Sequence, residues 1–354
     1  MEIPGKIPFF VRASLICMGM LAFVSILYYL RDIIVPVIYA IIIAIVLSPI
    51  VNFFVSKGMN RIIAISITLL LVIIVSISIV ALLSTQASMF SESFPALVVK
   101  FKQILHQTQN WVAVHFHIST FKINKWIEET NDELINNSRS LIGATLANIG
   151  GILIILVLIP VYIFMILYYK PLLIEFIHRV FSSNKHRVVN EVLGSTKKII
   201  QSYLVGLLLE AIIIATLNST SLLILGIDYA ILLGVIGAML NVIPYIGGII
   251  AVTLPMIIAL ATKSPTYALL VLFAYLIIQF IDNHIIIPNI VASKVKINAL
   301  ISVIVVLAGG ALWGIPGMFL SIPLTAILKL IFDHIDGLKP WGYLLGNNGP
   351  EDLK

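Results

Sequence analysis

The stretch LLGVIGAMLNVIPYIGG, residues 232–248, decides the fold because it interrupts a long apolar segment near its middle. That segment runs from 229 to 262, and Asn241, Pro244 and two glycines form the break. Proline removes a backbone donor and glycine loosens a helix, so the break frees backbone polar groups. These groups must be buried in protein or line a wet cavity, because lipid offers them no partner. Each half has only about 14 residues, whereas a helix needs roughly 20 to cross a bilayer.

The composition indicates a membrane protein. Of 354 residues, 60% are hydrophobic and 11% are charged, against roughly 45–50% and 25% in soluble domains. The mean hydropathy is +1.11. A soluble fold could not cover so much apolar surface with polar groups, and the long unbroken apolar runs exclude short alternating β-strands. We therefore predict an all-α polytopic membrane protein.

About eight membrane segments are expected. Six apolar runs are long enough to cross the bilayer, at 8–30, 33–55, 61–84, 142–169, 199–225 and 266–288. A second interrupted segment, 298–332, repeats the layout of 229–262, with the break GGALWGIPG at 309–317. We predict that both are re-entrant helical hairpins, entering from opposite faces because one span separates them. Two kinked spans are the alternative. The expected tip and hinge residues are Pro244, Gly247, Gly248, Pro288, Gly310, Gly314, Pro316 and Gly317.

Basic residues orient the chain. The connector 170–198 has six Lys and Arg against two acids, whereas 85–141 has five against five. The positive-inside rule places 170–198 in the cytoplasm and 85–141 outside, where the spacing of apolar residues predicts amphipathic helices. The expected parts are three transmembrane helices at 1–84, the extracytoplasmic region 85–141, a fourth helix with its basic connector at 142–198, a transport unit at 199–332 and a cytoplasmic tail at 333–354.

Polar side chains inside the apolar spans indicate a candidate site. Glu210 lies near the centre of 199–225, where an acid costs roughly 2.5–3.5 kcal/mol on insertion scales. Gln279, Asp282 and Asn283 are spaced i, i+3 and i+4, which predicts a shared helix face. Their oxygen atoms suit a hard cation, a proton or a hydroxylated solute. The alternatives are a protonated Glu210 bonded between helices, and an interfacial cluster that anchors the span end, with Pro288 stopping the helix.

The first break offers two more candidates, Asn241 and Tyr245, which flank Pro244 where half-helix ends could meet a ligand. The sequence has no His-Glu-x-x-His, Gly-x-Ser-x-Gly or P-loop motif. We therefore expect no enzymatic activity, no cofactor, no metal site and no nucleic-acid partner. The expected partners are the lipid bilayer and a small-molecule or cation substrate.

Several motifs in the C-terminal half resemble the bacterial autoinducer-2 exporter family, also called the PerM family. They are SYLVG at 202–206, the opening stretch at 232–248, QFIDNHIIIPNI at 279–290 and GGALWGIPGMFLSIPLTAILK at 309–329. The chain departs from the family at Leu207, where members commonly carry Gln, and at Asn298-Ala299, where many have His-Pro. Glu210 lies one turn after Leu207 and could supply the missing polar group.

The resemblance implies a multi-pass transporter of the bacterial cytoplasmic (inner) membrane with both termini in the cytoplasm. It further implies a homo-oligomer, suspected to be a pentamer, with re-entrant hairpins in an elevator-type mobile unit. Family members are associated with export of autoinducer-2, a quorum-sensing signal, and others with sodium or lithium/proton antiport.

Three function classes stay open at this point. The first is a secondary transporter that exports a small polar organic solute, bound by Glu210, Gln279, Asp282 and Asn283. The second is a Na⁺(Li⁺)/H⁺ antiporter. The third is a membrane scaffold or assembly factor that does not transport and whose region 85–141 binds a partner.

Overall fold

The fold is helical throughout the part of the chain that the structure, a computed structural model, describes: residues 8–116, 149–241, 247–291 and 297–347. Seven helical segments in these ranges are long and apolar enough to cross a membrane. The predicted all-α polytopic fold is therefore confirmed. The helices are α1 (Phe9–Tyr29), α2 (Arg31–Ser56), α3 (Arg61–Phe116), α4 (Ile149–Val180), α5 (His186–Ile224), α6 (Ala230–Asn241), α7 (Gly247–Thr262), α8 (Pro265–Ile281), α9 (Ala299–Trp313), α10 (Ile315–Asp333) and α11 (Lys339–Leu345).

The third helix is longer than the predicted span 61–84. It continues as one helix to Phe116 and includes Pro95. The change from apolar to polar residues after 84 shows where the apolar stretch ends, but the helix continues past this point. Residues 117–141 of the predicted outer region lie outside the described residues.

The basic connector 170–198 is mostly helical. It consists of the end of α4 and the start of α5, joined by a short turn at Ser183–Lys185. His186 Nε2 lies 2.9 Å from the carbonyl oxygen of His178 and 3.1 Å from that of Phe181. This imidazole therefore satisfies carbonyl groups that are left without intrahelical partners where α4 ends.

The chain divides into two compact units. One contains Met1–Ser48, Ile159–Ile200 and Lys296–Lys354, and the other contains Pro49–Leu158 and Gln201–Val295. The division after Val295 crosses the predicted transport unit 199–332, so the two interrupted segments fall in different units. The transport unit stays a prediction.

The first interrupted segment folds back on itself, in the second compact unit. A Cβ added to Gly237 in α6 would lie 3.6 Å from Ala251 Cβ in α7, and a Cβ on Gly247 would collide with the carbonyl oxygen of Leu240. Such pairs on either side of the break require the chain to reverse direction between 241 and 247. Helices α6 and α7 are therefore a helical hairpin, hereafter hairpin 1, and not one kinked span. Buried apolar side chains of α5, α6, α7 and α8 form its core.

The second interrupted segment also folds back, in the first compact unit. Its reversal is Gly314, whose φ of +66° favours glycine. A Cβ on Gly317 would collide with the carbonyl oxygen of Gly309 and lie 2.9 Å from Trp313 Cβ, so these glycines let α9 and α10 approach closely. Helices α9 and α10 are hereafter hairpin 2. Entry of the two hairpins from opposite faces stays a prediction.

Helix α8 does not stop at Pro288. From Asp282 to Val291 the chain continues as a π-helix that contains this proline. The i→i+5 bonding of a π-helix widens the turn and often occurs at functional sites. A proline can be accommodated where the regular hydrogen-bond pattern is already altered. The expected stop is thus replaced by a change of helix type that begins at Asp282.

Candidate functional site

Asp282 and Asn241 form the centre of the candidate site, within the second compact unit. Asp282 lies where α8 becomes π-helical, and 0% of its surface is exposed. Asn241 is the last residue of α6, and its Nδ2 donates to Asp282 Oδ2 over 2.7 Å. The other carboxyl oxygen, Oδ1, has no hydrogen-bond partner in the described part of the chain. Leaving a buried polar atom unpaired costs about 1–3 kcal/mol, and more for a charged group.

Glu210 joins this pair from α5. Its side chain is buried, with 4% of its surface exposed. It interacts electrostatically with Asp282 and with the buried Tyr203, which lies two helical turns earlier on α5. The structure therefore brings together two acids that are 72 positions apart in the sequence (282 − 210).

Gln279 faces hairpin 1 at Gly248. A Cβ on Gly248 would lie 3.0 Å from Gln279 Oε1 and 3.8 Å from Asn241 Oδ1. Glycine at this position therefore leaves room for two amide oxygens beside the backbone of α7. Gly248 contributes space, whereas Gln279 and Asn241 contribute polar atoms.

Asn283 does not belong to the cluster. It is exposed, although Asp282 next to it is completely buried. The shared face was predicted from α-helical spacing, and that spacing ends where the π-helix begins at Asp282. The two neighbouring side chains therefore differ in burial, and a role of Asn283 in binding stays a prediction. Pro288 is also exposed.

The other predicted residues fall into two groups. Pro244 and Tyr245 lie outside the described residues. The residues of hairpin 2 form its reversal and its close packing: Gly314 and Pro316 are exposed, Gly317 is buried, and a Cβ on Gly310 would lie 3.1 Å from Met318 Cγ. Within their own compact unit, these residues of hairpin 2 therefore serve its reversal and close packing.

Two buried residues with polar groups near the site were not selected from the sequence. They are Asn218 on α5 and Tyr275 on α8. Helical spacing could have found both. Asn218 is eight positions after Glu210, which is about two turns, and Tyr275 is four positions before Gln279. Each therefore lies on the same helix face as a residue that was selected.

Asn218 and Tyr275 line a small cavity that has room for roughly one water molecule. Other lining residues are Gly237, Asn241, Ala251 and Gln279. Asn218 Oδ1 and Tyr275 Oη are buried and have no hydrogen-bond partner among the described residues. Each of these two residues thus keeps one buried oxygen atom that is still able to form a hydrogen bond. In the same part of the chain, no group of three or more His, Cys, Asp or Glu side chains could hold a metal ion.

Comparison with known proteins gives a consistent result. The family model described as AI-2E family transporter matches residues 15–337. The chain is 26% identical to YrrI of Bacillus subtilis (strain 168), over 86% of this chain and 87% of that protein. It is 23% identical to YhhT of Escherichia coli (strain K12), over 90% of each chain. Both relatives are named as candidate transport proteins. It is also 26% identical to PerM of Escherichia coli (strain K12), named as a candidate permease, over 59% of this chain and 60% of that protein. The resemblance inferred from the motifs is confirmed: the chain belongs to the AI-2E family of membrane transporters.

Proposed function

We propose that the protein is a secondary transporter that exports a small polar organic solute, such as the autoinducer-2 signalling molecule, and that the cluster around Asp282 is its binding site. The observation that supports this proposal is the 2.7 Å hydrogen bond from Asn241 to Asp282, which joins the break in hairpin 1 to a carboxyl group with no exposed surface. Acids inside membrane segments cost roughly 2.5–3.5 kcal/mol and commonly mark the path of a substrate or a proton. Two such acids beside a broken helix fit the layout of transporter binding sites.

Each residue has a distinct role in this proposal. Asp282 accepts a hydrogen bond from the solute through Oδ1, because Asn241 occupies Oδ2. Glu210 shares the negative charge of the site and carries a proton when the solute leaves, since two buried carboxylates repel each other when both are ionised. Gln279 and Asn241 orient the solute with their amide groups.

Movement of the site is the second part of the proposal. Hairpin 1, helix α8 and the polar cluster all belong to one compact unit. In an elevator-type mechanism, such a unit would carry its bound solute past the rest of the protein. Hairpin 2 belongs to the other compact unit, so we propose that its part in transport is structural.

We also propose the membrane, the orientation and the oligomeric state of the protein from its family and its charge pattern. We place it in the bacterial inner membrane with both termini in the cytoplasm, since the basic helix ends at 170–198 follow the positive-inside rule. We further propose that the protein forms a homo-oligomer, namely a pentamer.

The test is flux of autoinducer-2 in proteoliposomes, measured with and without a proton gradient. We expect Asp282→Asn and Glu210→Gln to lower the flux by about tenfold or more, because each removes a charge that the solute or the proton requires. The matched controls are Asp228→Asn and Glu175→Gln, which remove exposed acids. Controls and wild type should transport equally.

The same preparation separates the remaining function classes. Sodium or lithium flux that is coupled to protons, in the absence of autoinducer-2 flux, would support the antiporter instead. A protein that moves neither solute, and whose cellular function survives Asp282→Asn, would support the scaffold and overturn the proposal.

A further inference from the structure

The end of α4 carries an apolar stripe that faces away from the protein. Leu172, Phe176 and Val180 recur at four-residue spacing, and each has 62–64% of its surface exposed. The helix packs on its other side, where His178 Nε2 lies 2.7 Å from Asn190 Oδ1 at the start of α5. Phe176 and Val180 are each two positions from His178, which places them about 200° around the helix axis in either direction. The stripe is therefore open to whatever surrounds the protein.

This stripe lies beyond the apolar run that was predicted as the fourth span. That run ends at Lys170, whose Nζ donates to Ser48 Oγ over 3.0 Å. Helix α4 has 32 residues, or about 48 Å, whereas a bilayer measures about 30 Å across its hydrocarbon core and about 40–45 Å with its headgroups. The helix is thus long enough for its last turns to lie at the boundary between acyl chains and headgroups. A helix with one apolar face is stable at this boundary.

The turn after α4 carries positive charge that no acid neutralises. Lys185 and Arg187 are both exposed, and neither has a carboxylate partner in the part of the chain that the structure describes. The two acids of the connector 170–198 are engaged elsewhere. Glu175 Oε1 pairs with Arg179 Nε at 3.0 Å, and Glu191 Oε1 lies 3.8 Å from the histidine that follows α10. Two unpaired cations therefore remain at this turn.

The two cations adjoin the end of the apolar stripe. His186 lies between Lys185 and Arg187, and its Nε2 is 3.1 Å from the carbonyl oxygen of Phe181. Phe181 directly follows Val180 and is itself exposed. The positive-inside rule accounts for the basic residues, but it does not require an exposed apolar face beside them. Cations next to such a face match an amphiphile with a negative headgroup, whereas a soluble anion would use the cations alone.

We propose that the end of α4 and the turn into α5 form a binding site for an anionic phospholipid of the phosphatidylglycerol class. The acyl chains lie along Leu172, Phe176 and Val180, and the headgroup phosphate pairs with Lys185 and Arg187. All five residues belong to the first compact unit, so the site does not depend on the solute site in the second. Bound lipid would hold the connector between α4 and α5 at the membrane surface.

The test is thermal unfolding of the purified full-length protein in dodecyl maltoside micelles. Added phosphatidylglycerol is compared with phosphatidylcholine that has the same acyl chains. We expect the unfolding temperature to rise in a saturable way with phosphatidylglycerol and much less with phosphatidylcholine, because a ligand of the folded state stabilises it. In the double variant Lys185→Gln/Arg187→Gln, the phosphatidylglycerol concentration at half-saturation should increase by about tenfold or more, since each cation near the surface attracts anionic lipid.

The matched control is Lys57→Gln/Lys263→Gln. This double variant removes two exposed cations from the second compact unit, so its net charge equals that of the site variant. Its response to phosphatidylglycerol should equal that of the wild type.

Two further arms separate a lipid from a soluble anion. Phe176→Gln makes the stripe more polar but keeps both cations, and it should also raise the half-saturation concentration. Because Phe176 is exposed, this change removes little packing from the folded protein. Glycerol 3-phosphate carries a phosphate without acyl chains, and it should not stabilise the wild type.

Equal stabilisation by phosphatidylglycerol and phosphatidylcholine would overturn the proposal, since the headgroup would then not be recognised. An equal response in the two double variants would overturn it as well, because the attraction would then depend on net charge and not on this turn. Stabilisation by glycerol 3-phosphate, or a wild-type response in Phe176→Gln, would show that the stripe holds no acyl chain. None of these results depends on solute flux, so failure of this site and failure of the proposed transport function are distinguishable.

Discussion

The two hairpins look alike in sequence but differ in what surrounds their reversals. In hairpin 1, helix α6 ends at Asn241, whose side chain donates a hydrogen bond to the buried Asp282. Hairpin 2 reverses at Gly314, and two side chains beside this reversal donate to backbone: Trp313 Nε1 to the carbonyl oxygen of Leu27 over 3.0 Å, and Tyr39 Oη to that of Pro316 over 3.2 Å. A break in an apolar helix can therefore serve a polar site or serve packing. Polar residues on neighbouring helices decide between the two.

Hairpin 2 is also fixed to the helices of its own compact unit. Tyr39 of α2 stacks on Phe319 of α10 with ring centroids 5.9 Å apart, in addition to its hydrogen bond to Pro316. Hairpin 1 has its own apolar core, but Asn241 at its broken end bonds to Asp282, and Gly248 lies beside Gln279 of α8. We therefore expect substitutions in hairpin 1 to change transport, and substitutions in hairpin 2 to change stability.

The largest effect is expected for Asn241→Leu. This change leaves the buried Asp282 without its donor, and we expect autoinducer-2 flux to fall by about tenfold or more. Proteoliposome flux measures this, with Asn347→Leu in the exposed tail as the matched control. Unchanged flux in Asn241→Leu would contradict the assignment of the polar site to hairpin 1.

The second prediction concerns Gly317→Ala in hairpin 2. The new methyl group would collide with backbone at Gly309 and press on Trp313, so we expect a loss of about 1–3 kcal/mol in the free energy of unfolding. Denaturant unfolding followed by tryptophan fluorescence measures it. Gly337→Ala is the control, because a Cβ there meets nothing within 4 Å.

Gly248→Ala in hairpin 1 should behave differently. Its methyl group would lie 3.0 Å from Gln279 Oε1, the far end of a flexible side chain that can move away. We expect the free energy of unfolding to change little. Flux should fall by about fivefold, since displacement of the Gln279 side chain weakens solute binding by roughly 1 kcal/mol. Gly194→Ala, which has open space around it, is the control. Loss of stability without loss of flux would show that hairpin 1 resembles hairpin 2.

The smallest effect is expected for Tyr39→Phe. The variant keeps the stacking on Phe319 but loses the hydrogen bond to Pro316, which costs about 0.5–1.5 kcal/mol. Thermal unfolding should detect the loss, while flux per folded molecule should equal that of the wild type. A large drop in flux would indicate that the hairpin 2 reversal takes part in transport.

The sequence predicted the helical membrane fold and both reversals, because long apolar runs and Gly/Pro breaks are local features. It also selected Glu210, Gln279 and Asp282 as candidates for a polar site, and the structure places them in one compact unit. It could not predict that α8 becomes π-helical at Asp282, because the sequence does not show whether backbone N–H groups bond to the i−4 or the i−5 carbonyl oxygen. Tyr275 was overlooked because a tyrosine in an apolar helix resembles a core residue until its unpaired hydroxyl group is located.

The sequence also could not predict that the two hairpins belong to different compact units. The two interrupted segments have similar layouts and one span between them, which favoured a joint transport unit at 199–332. Which compact unit each hairpin joins depends on long-range packing, such as the contacts of Tyr39 and Trp313 with residues far away in the chain.

Asn298 joins the start of hairpin 2 to the end of α11. Its side-chain oxygen accepts from Ile301 N–H over 2.8 Å, its Nδ2 donates to the carbonyl oxygen of Leu344 over 2.8 Å, and its backbone N–H donates to that of Leu345 over 3.2 Å. Leu344 follows Asn298 by 46 positions, so the ribosome must synthesise α11 before these hydrogen bonds can form. A stop codon upstream of Leu344 would therefore leave the start of hairpin 2 without these two acceptors.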